Sequence, residues 1–172
     1  MKRFLVFIFL LTIVLSGCEI TPDVSDTLSF PIKITASLDG SEGQFTADFS
    51  AEECSVTFGE NHVLSGAVLR FTEDGNTASV GDIFTRSIKK GTFPAQETFV
   101  KAIYLLSSTE TEGIYENGKM VYAIDEMKIL VYYDERNDSI TRIETEEGRG
   151  RFAFVIASLE SYDTQSKSGR IS

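Results

Sequence analysis

Apolar and polar residues alternate with a period of two over most of the chain after residue 27. Between residues 28 and 38, every apolar side chain except Pro31 falls on one phase. Such alternation is typical of a strand with one face against a core and the other in solvent. Because proline cannot donate a ladder hydrogen bond, Pro31 suggests that this strand lies at a sheet edge. Strand-like runs recur at residues 45–49, 54–58, 67–71, 77–80, 114–116, 119–125, 128–133, 139–145 and 152–159.

Turn sequences separate these runs. Asp74-Gly75 and Asn117-Gly118 are the clearest hairpin signals, because both dipeptides suit tight turns that need a positive φ angle. Residues 81–91 lack a regular pattern, and residues 107–113 form a polar loop. The pattern therefore predicts a meander of about nine or ten antiparallel strands.

One segment has helical rather than strand periodicity. Its apolar residues recur at helical spacing: Phe99, Ala102, Ile103 and Leu106. Pro94 suits the first turn of a helix, where its missing N–H costs nothing. Glu97 and Lys101 are placed to form an i, i+4 ion pair on an exposed flank. These features predict a helix over residues 94–107.

Together these elements predict a mainly β (α+β) fold, in which a curved antiparallel sheet or half-barrel carries one helix on its concave face. A sheet of about nine or ten strands curls, and an amphipathic helix inserted midway along the chain can cover the concave side. Residues 28–159 then form a single domain, and residues 160–172 form a polar tail.

The first 18 residues differ from the rest in composition. Lys2 and Arg3 precede an apolar run at residues 4–15, which has the form of an export signal and is too short to span a membrane comfortably. The next residues, Leu15-Ser16-Gly17-Cys18, resemble the lipobox of bacterial lipoproteins. The resemblance implies cleavage between Gly17 and Cys18 and attachment of a diacylglycerol to the Cys18 thiol. The alternatives are an ordinary signal peptide that ends near a cysteine and an uncleaved N-terminal anchor.

The lipobox resemblance also implies a location. Two acyl chains, such as palmitate, anchor a protein stably, whereas one chain does so only marginally. A diacylated Cys18 would therefore hold the protein at the extracytoplasmic face of a bacterial membrane. Residues 1–17 are then a signal peptide, and residues 18–27 are the lipidated terminus and a tether.

The net charge of the chain limits the classes of partner that it can bind. Cleavage would remove Lys2 and Arg3 and no acidic residue, which takes the formal net charge from −10 to −12. That charge argues against nucleic acid as a partner and against attachment through anionic lipid head groups. With Cys18 lipidated, Cys54 has no partner for an intramolecular disulfide.

Side chains suited to catalysis or metal binding are scarce. His62 is the only histidine, and with one free cysteine it cannot complete a zinc site. Residues 134–138 are acidic but lack the ligand spacing and the central glycine of a calcium loop. We therefore expect neither an enzyme nor a protein that holds a metal or another cofactor.

The order of elements resembles that of the bacterial outer-membrane lipoprotein carriers and receptors. The similar features are the hairpin run at residues 45–71 with Leu64-Ser65-Gly66 before Leu69-Arg70-Phe71, the helix after Phe93-Pro94, and the hairpins at residues 114–159. The resemblance implies an open half-barrel closed by a helical lid over an apolar cavity. The chain departs from that family in having no tryptophan and few helical segments for a lid. No binding residue of the family is carried over.

Ten phenylalanines follow residue 17, and most lie on the inward phase of a strand or of the helix. They form either a filled core or the wall of an apolar pocket. The candidate pocket residues are Phe45, Phe49, Leu69 and Phe71 on the sheet and Phe99 and Ile103 on the helix. If they line a pocket, Phe99→Asp should abolish ligand binding and leave the sheet folded.

Two functions correspond to these two interpretations. In the first, the anchored domain binds a hydrophobic ligand, either an acyl chain or a lipoprotein, in a cavity between sheet and helix. In the second, it is an anchored structural or protein-interaction module of the cell envelope without a cavity. Its acidic outer face then docks an envelope protein in a salt-sensitive manner.

Overall fold

A computed structural model describes residues 24–81, 83–108, 112–134, 136 and 138–162. The expected signal peptide at residues 1–17, the cleavage site at Gly17 and Cys18, and most of the expected tether and tail lie outside these residues. Within them the chain is mostly β, with eleven antiparallel strands in one curved sheet that does not close. The predicted fold class is confirmed. No helix among these residues is long and apolar enough to cross a membrane.

The sheet is a meander whose two halves meet at its centre. In chain order the elements are α1 (Val24–Thr27), β1 (Ile32–Leu38), β2 (Gln44–Phe49), β3 (Glu53–Phe58), β4 (Ala67–Thr72), β5 (Gly75–Val80), β6 (Phe84–Ile88), α2 (Pro94–Ser108), β7 (Ile114–Glu116), β8 (Lys119–Ile124), β9 (Met127–Tyr133), β10 (Ile140–Glu147) and β11 (Gly150–Ser161). Their order across the sheet is β6-β5-β4-β3-β2-β1-β11-β10-β9-β8-β7. The first and last strands therefore pair in the middle, and β6 and β7 form the edges.

The strand that the sequence pattern missed is β6, which lies in the stretch expected to be irregular. Four of its five residues are exposed, and only Ile88 is half-buried. Because neither face of β6 is covered, its residues are not divided into an apolar and a polar phase. Alternation alone could not reveal this edge strand.

The edge position suggested by Pro31 is wrong. β1 pairs with β2 on one side and with β11 on the other, so it is an internal strand. Pro31 lies one residue before β1, where it need not donate to a ladder. Its carbonyl oxygen accepts a hydrogen bond from the N–H of Tyr162 at 3.1 Å.

Helix α2 packs on the concave face, as predicted, and ends one residue later than expected, at Ser108. The ion pair expected between Glu97 and Lys101 on its exposed flank is not formed. The Glu97 carboxylate instead accepts hydrogen bonds from the N–H groups of Gly91 (2.7 Å) and Phe93 (3.3 Å), and Lys101 pairs with Glu147 of β10. Glu97 thus satisfies backbone donors that precede the helix, which orients the segment between β6 and α2.

The domain extends further at both ends than the sequence indicated. Val24 and Leu28 are buried in the core, and α1 contacts α2, so residues 24–27 belong to the domain rather than to the tether. At the other end β11 continues to Ser161, and the Tyr162 hydroxyl donates to the Asp48 carboxylate at 3.0 Å. Residues 160–162 are therefore ordered against the sheet rather than part of a frayed tail.

Candidate functional site

The six residues expected to line an apolar pocket are brought together by α2 and the concave face of the sheet. All six are at most 7% exposed and belong to one hydrophobic cluster. The centroid of the Phe99 ring lies 5.3 Å from that of Phe45, 6.3 Å from that of Phe49 and 4.8 Å from that of Phe154. At these separations the aromatic side chains contact one another directly and fill the space beneath the middle of α2.

Because Phe99 is packed in the core, a polar substitution at this position tests the folding of the domain rather than ligand binding. The Phe99 side chain is fully buried, so an aspartate at this position would place a carboxylate in the core without a partner. We therefore expect Phe99→Asp to unfold the domain instead of leaving the sheet intact. A test of ligand binding needs a residue outside the core.

An open groove of about 860 Å³ lies beside the core. One wall is a flank of α2 that carries Pro94, Val100 and Tyr104. The facing wall comes from the β2–β3 turn, the β4–β5 hairpin and the segment between β6 and α2. Phe71 is the one residue of the six predicted pocket residues that lines this groove.

The groove combines an apolar lining with a charged rim. Phe71 and Val100 present the edges of mostly buried side chains, and Ile88 is half-buried beside them. The charged side chains of the rim are Glu52, Glu73, Lys90, Glu97, Lys101 and Glu147. An apolar surface surrounded by a few charged groups is the usual chemistry of a site for an amphiphilic small molecule.

Tyr104 fixes the position of the helix wall. Its hydroxyl donates to the carbonyl oxygen of Ser50 at 3.0 Å, and its ring contacts that of Phe30 edge-on at a centroid distance of 5.1 Å. Burial raises the pKa of Tyr104 to about 12, with smaller contributions from Cys54 and Glu53. The hydrogen bond holds this wall against the β2–β3 turn, and the ring contact holds it against Phe30.

The convex face carries a separate charged network centred on Glu144, which is 6% exposed. Its carboxylate accepts hydrogen bonds from Arg142 (2.8 Å) and Arg151 (2.8 Å), and Arg142 also pairs with Asp39 at 2.9 Å. Burial raises the pKa of Glu144, but the hydrogen bonds and charges of the two arginines together outweigh burial and hold it below its ordinary value. The network connects β10, β11 and the end of β1, and its charges are satisfied within the protein.

This network predicts a pH dependence of stability. Because the folded pKa of Glu144 is lowered, its contribution to the free energy of unfolding is present above the ordinary value of 4.5 and is lost as the pH falls through the folded pKa. Glu144→Gln should lower the free energy of unfolding at pH 7 by about 1–2 kcal/mol, and the difference from wild type should shrink below pH 4.5. Urea unfolding across pH measures this. An unchanged difference down to low pH would contradict it, and Glu60→Gln, in an exposed loop, serves as the control.

His62 and Cys54 have structural surroundings. The His62 ring stacks on Phe58 with a centroid distance of 4.4 Å, and its Nδ1 accepts the N–H of Leu64 at 3.1 Å. A Cβ atom at Gly43 would lie 2.5 Å from the His62 ring, so this approach requires glycine.

Cys54 is fully buried, and burial raises the pKa of its thiol. Among the residues that the structure describes, no group of three or more His, Cys, Asp or Glu side chains could hold a metal ion.

Comparison with known proteins found no protein-family model and no curated protein that matches the chain. The groove is therefore interpreted from its own chemistry. Sequence reasoning missed it because its walls come from chain segments that are far apart in sequence. The one local signal was the polar flank of the helix, with Glu97 and Lys101 on the side away from the core.

Proposed function

We propose that this protein is a lipid-anchored extracytoplasmic lipoprotein whose domain binds the apolar part of an amphiphilic ligand in the groove beside α2. The observation that supports this most directly is the groove itself. Its volume of about 860 Å³ falls within the range of about 300–1,000 Å³ that is typical of small-molecule sites. This proposal places the ligand on the flank of the helix rather than beneath it, because the Phe99 ring contacts Phe45 and Phe154 beneath the helix.

The position of the domain relative to the proposed anchor is compatible with a ligand from the membrane. Val24, the first buried residue in the part of the chain that the structure describes, comes six positions after Cys18, and a fully extended chain of that length spans about 20 Å. Val24 belongs to α1, and α1 contacts α2, which forms one wall of the groove. A lipidated Cys18 would thus hold the groove close to the membrane surface, where amphiphiles are concentrated.

The proposal is tested with a chain that begins at residue 19, which retains every core residue that the structure describes, from Val24 onward. Phenylnaphthylamine, a neutral dye that brightens in apolar surroundings, should bind this chain saturably. Thr98, half-buried on the groove side of α2, allows the groove to be filled. Thr98→Trp should weaken dye binding about tenfold or more, since the indole occupies the apolar surface that the dye needs.

A matched control is available on the opposite face of the sheet. Thr57 is exposed on β3 and does not line the groove, so Thr57→Trp should leave dye binding unchanged. Circular dichroism checks that both variants fold. The proposal fails if the wild-type domain shows no saturable binding, or if the two variants bind the dye equally well.

The alternative, an anchored structural or protein-interaction module, is supported by a different surface. Val80 and Phe84 face each other across β5 and β6 and are 55% and 54% exposed, and Ile83 beside them is 95% exposed. In this case an envelope protein covers that end of the sheet. Crosslinking in intact cells should then trap a complex with the wild-type chain that Phe84→Arg abolishes, while Thr98→Trp leaves it intact.

A further inference from the structure

The charges around the groove do not balance. Four carboxylates and two ammonium groups line it, which gives these side chains a formal charge of −2. Lys101 is paired with Glu147, and the carboxylate of Glu97 is hydrogen-bonded to two backbone N–H groups. Among the residues that the structure describes, the side chains of Glu52 and Glu73 have no hydrogen bond or ion pair. Because Lys101 and Glu147 neutralise each other, the rest of the rim has three carboxylates, those of Glu52, Glu73 and Glu97, and one ammonium group, that of Lys90.

Glu52 and Glu73 lie in turns at the same end of β3 and β4. Glu53 of β3 is opposite Thr72 of β4, and Glu52 and Glu73 are the next residues outward along the two strands. Both side chains are exposed at the groove. Two carboxylates on the same rim repel each other, and a cation bound beside them would relieve that repulsion.

We propose that the ligand of this groove is a cationic amphiphile whose apolar tail packs on Phe71 and Val100 and whose ammonium head group lies beside Glu52 and Glu73. This inference rests on the function proposed above and adds the charge of the ligand. Phe71 and Tyr104, both in the lining, are aromatic, and aromatic faces attract ammonium groups. The formal charge of −12 that remains after the proposed cleavage acts in the same direction, because it attracts cationic ligands and repels fatty acids.

The experiment compares two amphiphiles with matched tails and opposite head groups. Dodecyltrimethylammonium and dodecanoate, both below their critical micelle concentrations, compete with phenylnaphthylamine for the chain that begins at residue 19. The cation should displace the dye at about tenfold lower concentration than the carboxylate at low ionic strength. The ratio should fall toward unity at about 0.5 M salt, since exposed charges are screened.

Charge-reversal variants distinguish the effect of the groove carboxylates on binding from the effect of the net charge of the whole protein. Glu73→Lys should weaken binding of the cation about tenfold, whereas Glu60→Lys changes the net charge equally at a residue outside the groove and should weaken it less than about twofold. Glu52→Lys provides a second groove variant. Equal affinity for the two head groups, or equal effects of the Glu73 and Glu60 variants, would overturn this inference even if the dye binds. Failure of the dye to bind would instead overturn the proposed function.

Discussion

Replacement of Cys18 with serine is expected to leave the leader on the chain and to remove all lipid from it. In the lipobox interpretation the sulfur of Cys18 carries the diacylglycerol, and cleavage before this residue follows lipid attachment. A hydroxyl at this position cannot form the thioether, so both steps should stop. The effect should be complete rather than graded, because a single atom of the chain receives the lipid.

Mass spectrometry of the protein purified from cells that produce it measures both steps at once. The wild-type chain should lack residues 1–17 and carry the added mass of the acyl chains, and Cys18→Ser should have the full unmodified length. Cys54→Ala is the matched control, since Cys54 is buried in the domain and its loss should not affect lipidation. An intact leader on the wild-type protein, or a mature terminus with an unmodified thiol, would refute the lipid anchor and with it the proposed location.

Alternation in the sequence was sufficient to predict most of the sheet, for a physical reason. A strand with one buried face must place apolar residues at every second position, and most of the strands were located in this way. All three residues of β7 are exposed, and this strand was located with the help of the Asn117-Gly118 turn that follows it. β6 lacks a buried face, so the same reasoning could not find it. Strand order was also beyond the pattern, because alternation reveals which face of a strand is buried but not which strand lies beside it. The pairing of β1 with β11 depends on how the whole sheet curls.

The candidate site was harder to predict than the fold. The periodicity of the sequence correctly predicted that Phe45, Phe49 and Phe99 face the same core. Periodicity does not reveal whether the space between these side chains is empty or full. Filling depends on the residue opposite, and Phe154 of β11 supplies that ring. The groove depends on where the helix ends its contact with the sheet. That boundary is set by tertiary packing and leaves no local pattern in the sequence.

The contact of α2 with the sheet should depend strongly on Phe99. Its ring lies against Phe45, Phe49 and Phe154, and its side chain is fully buried. Phe99→Ala removes the central ring of this cluster and leaves a cavity that neighbours on a continuous sheet cannot close. We therefore expect the free energy of unfolding to fall by about 3–5 kcal/mol. A loss of this size is a large part of the total stability of a small domain, which is about 5–15 kcal/mol.

Urea unfolding of the chain that begins at residue 19 measures this effect, with Phe84→Ala as the matched control. Phe84 is 54% exposed on the edge strand, so the same change in side chain should cost less than about 0.5 kcal/mol there. A large loss at Phe99 and a small one at Phe84 would show that the helix is held by the packed rings beneath it. If Phe99→Ala instead cost less than about 1 kcal/mol, the space beneath α2 would not be densely packed. The ligand site would then have to be sought beneath the helix rather than along its flank.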